Sequence, residues 1–114
     1  VTNTNKSSRS EHIEQREFVS WFRKNYDALL MAIPNGGKRS AATATKLQLE
    51  GVVAGVPDLF IPEYGLWIEM KRVDGGVVSR EQKQVMEELE RCGYTCRVAH
   101  GDAEAREIVR EIIG

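Results

Sequence analysis

Apolar and polar positions along this chain switch between two periods. Residues 1–10, Val-Thr-Asn-Thr-Asn-Lys-Ser-Ser-Arg-Ser, follow neither and read as a flexible N-terminal arm. From Glu11 the spacing turns helical. Phe18, Val19, Trp21 and Phe22 share a face, Ser10 stands at the N-cap position, and the pattern runs to about Tyr26. Extending that face backward by three- and four-residue steps reaches Glu11, Glu14 and Gln15. One or both carboxylates therefore point toward the core side of the first turn, where the helix macrodipole favours each by ~0.3–1 kcal/mol. Residues 28–33 are an unbroken apolar run stopped by Pro34 and predict a buried strand. Residues 40–50 are helix-like, with Ala41, Ala42, Ala44, Leu47 and Leu49 as a small-residue face and Gly51 as the stop.

Two short apolar runs follow, Leu59-Phe60-Ile61 and Leu66-Trp67-Ile68, joined by Pro62-Glu63-Tyr64-Gly65. Turn chemistry between two such runs predicts an antiparallel hairpin. After a loop over residues 72–78, Ser79 opens a helix with a buried stripe of Val85, Met86, Leu89 and Cys92, and Gly93 suits its end. Ser79-x-x-Gln82 is a capping box, in which the Gln side chain reaches back to the N-cap amide. Residues 94–99 alternate as a strand, with Tyr94, Cys96 and Val98 on one side. Asp102 caps a last helix whose stripe is Ala105, Ile108, Val109 and Ile112. The order is helix, strand, helix, strand, strand, helix, strand, helix, without an internal repeat. A helical crossover between the third and fourth strands predicts a mixed sheet.

A chain of 114 residues has room for one domain around one core, here residues 11–114. No apolar run nears the ~20 residues that span a bilayer, and no signal-peptide core is visible. Cytoplasmic residence without a membrane partner is the expectation. Net charge is -1, so the chain as a whole is no basic nucleic-acid binder. Its distribution changes that picture. Residues 35–46 hold three basic side chains and no acid, while residues 84–114 hold seven acids and four bases. A basic face opposite an acidic one suits a protein that meets a polyanion on one side. Cys92 and Cys96 lack the spacing and companions of a zinc site and read as reduced, partly buried thiols.

The candidate chemistry lies at the hairpin's open end. Asp58 precedes the first strand, and Glu69 and Lys71 end the second, so pairing brings them together. Alternation points Glu69 and Lys71 to one face and Met70 to the other. Two close carboxylates repel, and one takes up a proton unless a cation sits between them. A hard divalent cation removes the conflict, and an ammonium nearby can orient or deprotonate water. On these residues alone, an edge hairpin with solvated charges outweighs a catalytic site. The loop Asn35-Gly36-Gly37-Lys38-Arg39 lacks P-loop spacing. It is either a plain turn or a place where backbone and cations approach a phosphodiester. His100 at a strand end reads as structural or solvated.

Pro57-Asp58 followed by Glu69-Met70-Lys71 resembles the PD-(D/E)xK nuclease motif. Ile33-Pro34-Asn35-Gly36-Gly37-Lys38-Arg39, the stretch from Leu47 to Pro57, and Ser79-Arg80-Glu81-Gln82-Lys83 narrow the resemblance to its VRR-NUC branch. The similarity runs from about Glu11 to the C-terminus, and its four blocks stand in the right order. It implies an α/β, restriction-endonuclease-like αβββαβ core with a mixed central sheet and flanking helices. It also implies Mg2+ or Mn2+ held by Asp58, Glu69, the Met70 backbone carbonyl and a first-helix glutamate. Glu11, with Gln15 four residues on, fits that glutamate slightly better than Glu14, and both stay open. Lys71 would position or activate water, and Gln82 would flank the site, in conflict with the capping box, since one amide is not expected to fill both roles at once. Asn35, Gly36, Gly37, Lys38, Arg39, Lys46, Arg72, Ser79 and Lys83 are the candidate DNA contacts.

The implied activity is a metal-dependent, structure-selective DNA endonuclease of the stand-alone phage or bacterial type. It would act on branched DNA such as four-way (Holliday) junctions, as a homodimer. Two rivals stand beside it. A DNA-binding accessory module with a dead site is disfavoured by the intact acid and lysine set. A restriction-like sequence-specific nuclease is disfavoured because no recognition segment is visible.

Overall fold

The sheet is built outward from the hairpin. In the computed structural model, which describes residues 9–34 and 39–114, strand β2 (Leu59–Ile61) and strand β3 (Leu66–Lys71) pair antiparallel, Leu59 opposite Ile68 and Ile61 opposite Leu66. Pro62–Tyr64 forms one 3-10 turn between them, and Gly65 leaves it at φ 56°, in the left-handed region where glycine is unstrained. Strand β1 (Met31–Ala32) adds antiparallel to β2, and β4 (Thr95–His100) adds parallel to β3, giving the order β1-β2-β3-β4. The expectations for residues 1–8 and for Asn35, Gly36, Gly37 and Lys38 fall outside the described residues.

Alternation divides the two faces of this sheet. Leu59, Ile61, Leu66, Ile68, Met70 and Ala99 are buried on one face beneath helices α1 (Glu11–Asn25) and α4 (Asp102–Ile112). Phe18 and Phe22 of α1, with Ala105 and Val109 of α4, complete that core. Burying one such large side chain is worth ~1.5–3 kcal/mol. The other face carries Phe60, Trp67, Glu69, Cys96 and Lys71. There helix α3 (Arg80–Arg91) crosses from β3 to β4 and packs on β4, its Met86 carbonyl 3.7 Å from the Cys96 thiol. The result is the expected α/β architecture with a mixed four-stranded sheet and flanking helices.

Three elements depart from the sequence reading. The run at residues 28–33 forms only the two-residue β1, and Leu29 is 60% exposed although Leu30 is buried. An edge strand beside the three-residue β2 has few ladder partners and cover on one side only. The stripe of α3 is half-buried at Val85, Met86 and Leu89 and exposed at Cys92, because α3 rests over the edge strand β4 rather than the sheet centre. Helix α2 (Ala41–Leu49) forms with Ser40 as N-cap, but none of its residues is buried and Leu49 is 84% exposed. Its small apolar face meets no sheet.

Candidate functional site

The β2–β3 register sets Asp58 across from Glu69, on the face opposite the main core. The Met70 amide donates to Asp58 Oδ2 at 2.8 Å, fixing the carboxylate at the strand mouth. The Ile33 amide donates to the Asp58 carbonyl at 2.8 Å, so the end of β1 abuts the same point. Glu69 is only 2% exposed. Its Oε2 lies 3.5 Å from Lys71 Nζ, and its buried Oε1 has no hydrogen-bond partner among the described residues.

Gln82 ties these groups to α3. Its Nε2 donates to Glu69 Oε2 at 2.8 Å, while its Oε1 accepts from Lys71 Nζ at 2.9 Å and from the Ser79 amide at 2.8 Å. The Ser79 hydroxyl accepts in turn from the Gln82 amide, completing the capping box. The expectation that one side chain could not both cap the helix and flank the site is therefore corrected. The amide oxygen has two lone pairs and serves both, and the nitrogen remains for the carboxylate. The loop before Asp58 makes this fit possible. Gly55 has φ +92°, and a Cβ there would meet the Glu81 carbonyl group at 2.6 Å and the Gln82 amide nitrogen at 2.9 Å.

The two first-helix glutamates separate cleanly. Glu11 is half-buried and lines the cavity shared by Asp58, Glu69 and Gln82. Glu14, 4% exposed, points away from it. One Glu14 oxygen accepts from the Asp102 amide at 2.7 Å and the other from Arg9 Nε at 2.8 Å. Asp102 was expected to cap α4. Instead Gly101 holds the N-cap position without a side-chain bond, and the Glu14 carboxylate serves that helix start while Asp102 pairs with Arg106. The Arg9 guanidinium holds the Glu14 carboxyl below the usual range, as suits a fixed structural anion.

The site carboxyls shift the other way. Burial, then the charge of Asp58, push Glu69 up to about 8, against the pull of Lys71. Burial and Asp58 also raise Glu11, opposed by Lys71 and Arg72. Crowded, dehydrated carboxyls whose charged form is disfavoured are a demand for positive charge. No three His, Cys, Asp or Glu side chains among the described residues stand close enough to form a complete metal cage. The donors are nonetheless all hard oxygens, and the orphaned Glu69 Oε1 is the kind of atom a cation would satisfy. The residues thus fit Mg2+ or Mn2+ at Asp58 and Glu69, with further oxygen donors to be drawn from the Met70 carbonyl, Glu11 and water.

The cavity is about 390 Å3, and α2 and the segment leading to Asp58 wall it with Leu47, Gln48 and Val52. Arg39 lines it directly. Arg72 and Lys83 are exposed and do not line it, Ser79 caps α3, and Lys46 is exposed in the last turn of α2. The sequence reading did not single out Gln48 as a wall residue. Its position inside the block from Leu47 to Pro57 was the available signal. His100 is structural, its ring nitrogen 3.1 Å from the Gly76 carbonyl.

With this geometry in hand, the similarities to known proteins take on meaning. The family model described as the VRR-NUC domain matches residues 3–103. A solved structure described as a VRR_NUC domain protein superposes with a TM-score of 0.77 at 26% identity, over 92% of this chain and 88% of that one. No curated protein matches the chain.

Proposed function

The chain belongs to the VRR-NUC family of nuclease domains, and from that premise we propose that it is a metal-dependent endonuclease that hydrolyses phosphodiester bonds in branched DNA. The observation that carries this reading is the convergence of Asp58, Glu69 and Lys71 on one sheet face, locked by Gln82, with a buried carboxylate oxygen left unsatisfied. Asp58 and Glu69 would hold Mg2+ or Mn2+, with the Met70 carbonyl and Glu11, rather than Glu14, completing the set. The bound ion would supply the positive charge that activates water and offsets charge on the phosphoryl group.

The protein's own groups do the rest. Lys71 is oriented by Gln82 and Glu69, so its ammonium is preorganised to position water or stabilise developing negative charge. Arg39, which lines the cavity, would suit a phosphate beside the scissile one, and Lys38, Arg72 and Lys83 are the further candidate contacts. Preference for a four-way junction follows from size and symmetry. A small domain covers little duplex, and an isologous homodimer would present two sites to a substrate with approximate two-fold symmetry. The exposed face of α2 is the better candidate for its interface. The Trp21 side of α1 is already covered by Arg106 and Arg110, each 5.3 Å from the ring centroid.

The deciding experiment sets a four-way junction beside duplex, flap and single-stranded DNA, with Mg2+, Mn2+ or EDTA. Metal-dependent cleavage favouring the junction is the expected result. Binding without cleavage under every metal condition would instead favour a non-catalytic DNA-binding module, and cleavage confined to one duplex sequence a restriction-like enzyme.

A further inference from the structure

A second concavity, about 610 Å3, lies between α1 and the edge strand β1, outside the acid site. Its floor includes Val19 and Leu30, and its walls carry His12, Arg16, Arg23 and Lys24. At 3.6 residues per turn, His12, Arg16 and Arg23 fall within one arc of α1 about 40° wide, whereas Lys24 lies about 80° beyond Arg16 and closer to Glu17. Glu11, Glu14 and Glu17 fall on the other side of the helix. Of the other described cations, five are in ion pairs, Arg9 with Glu14, Lys71 with Glu69, Arg91 with Glu88, Arg106 with Asp102 and Arg110 with Glu107, while Arg39, Lys46, Arg72, Arg80, Lys83 and Arg97 are not. No ion pair among the described residues engages Arg16, Arg23 or Lys24. What sets Arg16, Arg23 and Lys24 apart is that they line one concavity together, and such a positive wall suits a polyanion.

The groove and the acid site meet neighbouring residues of α1. Glu11 lines one cavity and His12 the other, and Ile33, the residue after β1, donates its amide to the Asp58 carbonyl. From His12 to Lys24, α1 rises ~18 Å, about five steps of one strand at 3.4 Å per phosphate along a duplex axis. We propose that this α1–β1 groove carries the phosphodiester backbone of a duplex arm running away from the scissile phosphate. Arg16 and Lys24 would make phosphate contacts, and Arg23, whose Nη2 donates to the Leu30 carbonyl at 3.3 Å, would be held ready for a third. This rests on the nuclease reading of the acid site for the direction of the arm.

The test measures binding and cleavage separately. In EDTA, a fluorescent duplex is titrated at several salt concentrations with wild type, Arg16→Ala/Lys24→Ala and a control, Arg91→Ala/Arg110→Ala, that removes the same charge from the ends of α3 and α4. The groove variant should bind more weakly, with a log–log salt slope reduced by about 1.8, or 0.9 for each lost phosphate contact. The Arg16→Lys/Lys24→Arg exchange should restore the slope. An unchanged slope in the groove variant, an equal fall in the control, or tight binding of polyglutamate with no binding of duplex would overturn the proposal. Cleavage in Mg2+ or Mn2+ separates the two readings. Wild type that cleaves while the groove variant binds normally leaves the nuclease standing and removes the groove. A groove-dependent duplex slope in a protein that cleaves nothing retains the groove and removes the nuclease.

Discussion

At the scale of single residues, Asp58, Glu69 and Lys71 make separable predictions. Asp58 is proposed as a hard anionic ligand and Lys71 as a group that acts on water. Asp58→Asn should therefore lose both Mn2+ binding and cleavage, whereas Lys71→Ala should keep the first and lose the second, by calorimetry and gel assay. Equal metal affinity in wild type and Asp58→Asn would remove the assignment. Glu69 makes a pH prediction. Its carboxyl is raised from 4.5 to about 8 in the fold, chiefly by burial and then by Asp58. Between those values the folded protein holds a proton that the unfolded chain has released, so this contribution to stability is complete below about 4.5 and lost as pH rises through about 8. Metal-free Tm should fall from pH 5 to pH 8 more steeply in wild type than in Glu69→Gln. Metal should restore more stability at pH 8, where the ligand is closer to its ionised form. Parallel Tm profiles for the two proteins would contradict the cause named here.

At the scale of elements, the start of α3 is a structural joint and a site wall at once. Ser79 and Gln82 close the capping box, and Gln82 alone continues to Glu69 and Lys71. Ser79→Ala should cost ~0.5–2 kcal/mol of stability and leave cleavage near wild type well below Tm. Gln82→Ala should cost a similar amount and also lower kcat more than tenfold, because Lys71 loses an orienting acceptor and Glu69 a donor. Equal kcat in the two variants would show that Gln82 acts only on the helix. Gly55 makes a second test of the joint. Its φ of +92° and the 2.6 Å approach to the Glu81 backbone leave no room for a methyl group. Gly55→Ala should destabilise by ~1–3 kcal/mol, read by urea unfolding. Its cleavage rate should fall with it, because the loop bearing Asp58 would shift from α3.

At the scale of the whole molecule, the proposed homodimer predicts a division of labour. Each subunit would cut one strand, so mixing wild type with Lys71→Ala subunits should yield dimers that nick a cruciform plasmid but rarely linearise it. A strictly monomeric mass by light scattering, with paired cuts still made in one binding event, would defeat this idea. The exposed Leu49 at the end of α2, which lies outside the acid-site cavity, is where an interface can gain apolar burial. Leu49→Glu should therefore weaken self-association without reaching the acid site. The described residues contain no helix long and apolar enough to cross a membrane, in keeping with the short apolar runs of the sequence.

Much of this was already determined locally. The hairpin, its turn and the alternation of Glu69, Met70 and Lys71 follow from strand geometry, and the capping box from four consecutive residues. The mixed sheet follows from a helix placed between the third and fourth strands. What tertiary structure decided was every case where two sequence positions competed for one task or one position served two. Glu11 and Glu14 both lie on the core side of α1. Only the docking of α4 shows Glu14 taken by the Asp102 amide 88 positions away, while Glu11 faces Asp58. Gln82 needed the three-dimensional fork of its amide to join Ser79, Lys71 and Glu69. The apolar run at residues 28–33 carries no sign that β1 would be an edge strand with Leu29 in solvent, because exposure depends on what the neighbouring elements cover. The cations of α1 were legible as charges. That they border a groove depends on β1 lying alongside them, and periodicity along one chain says nothing about which distant element fills the facing side.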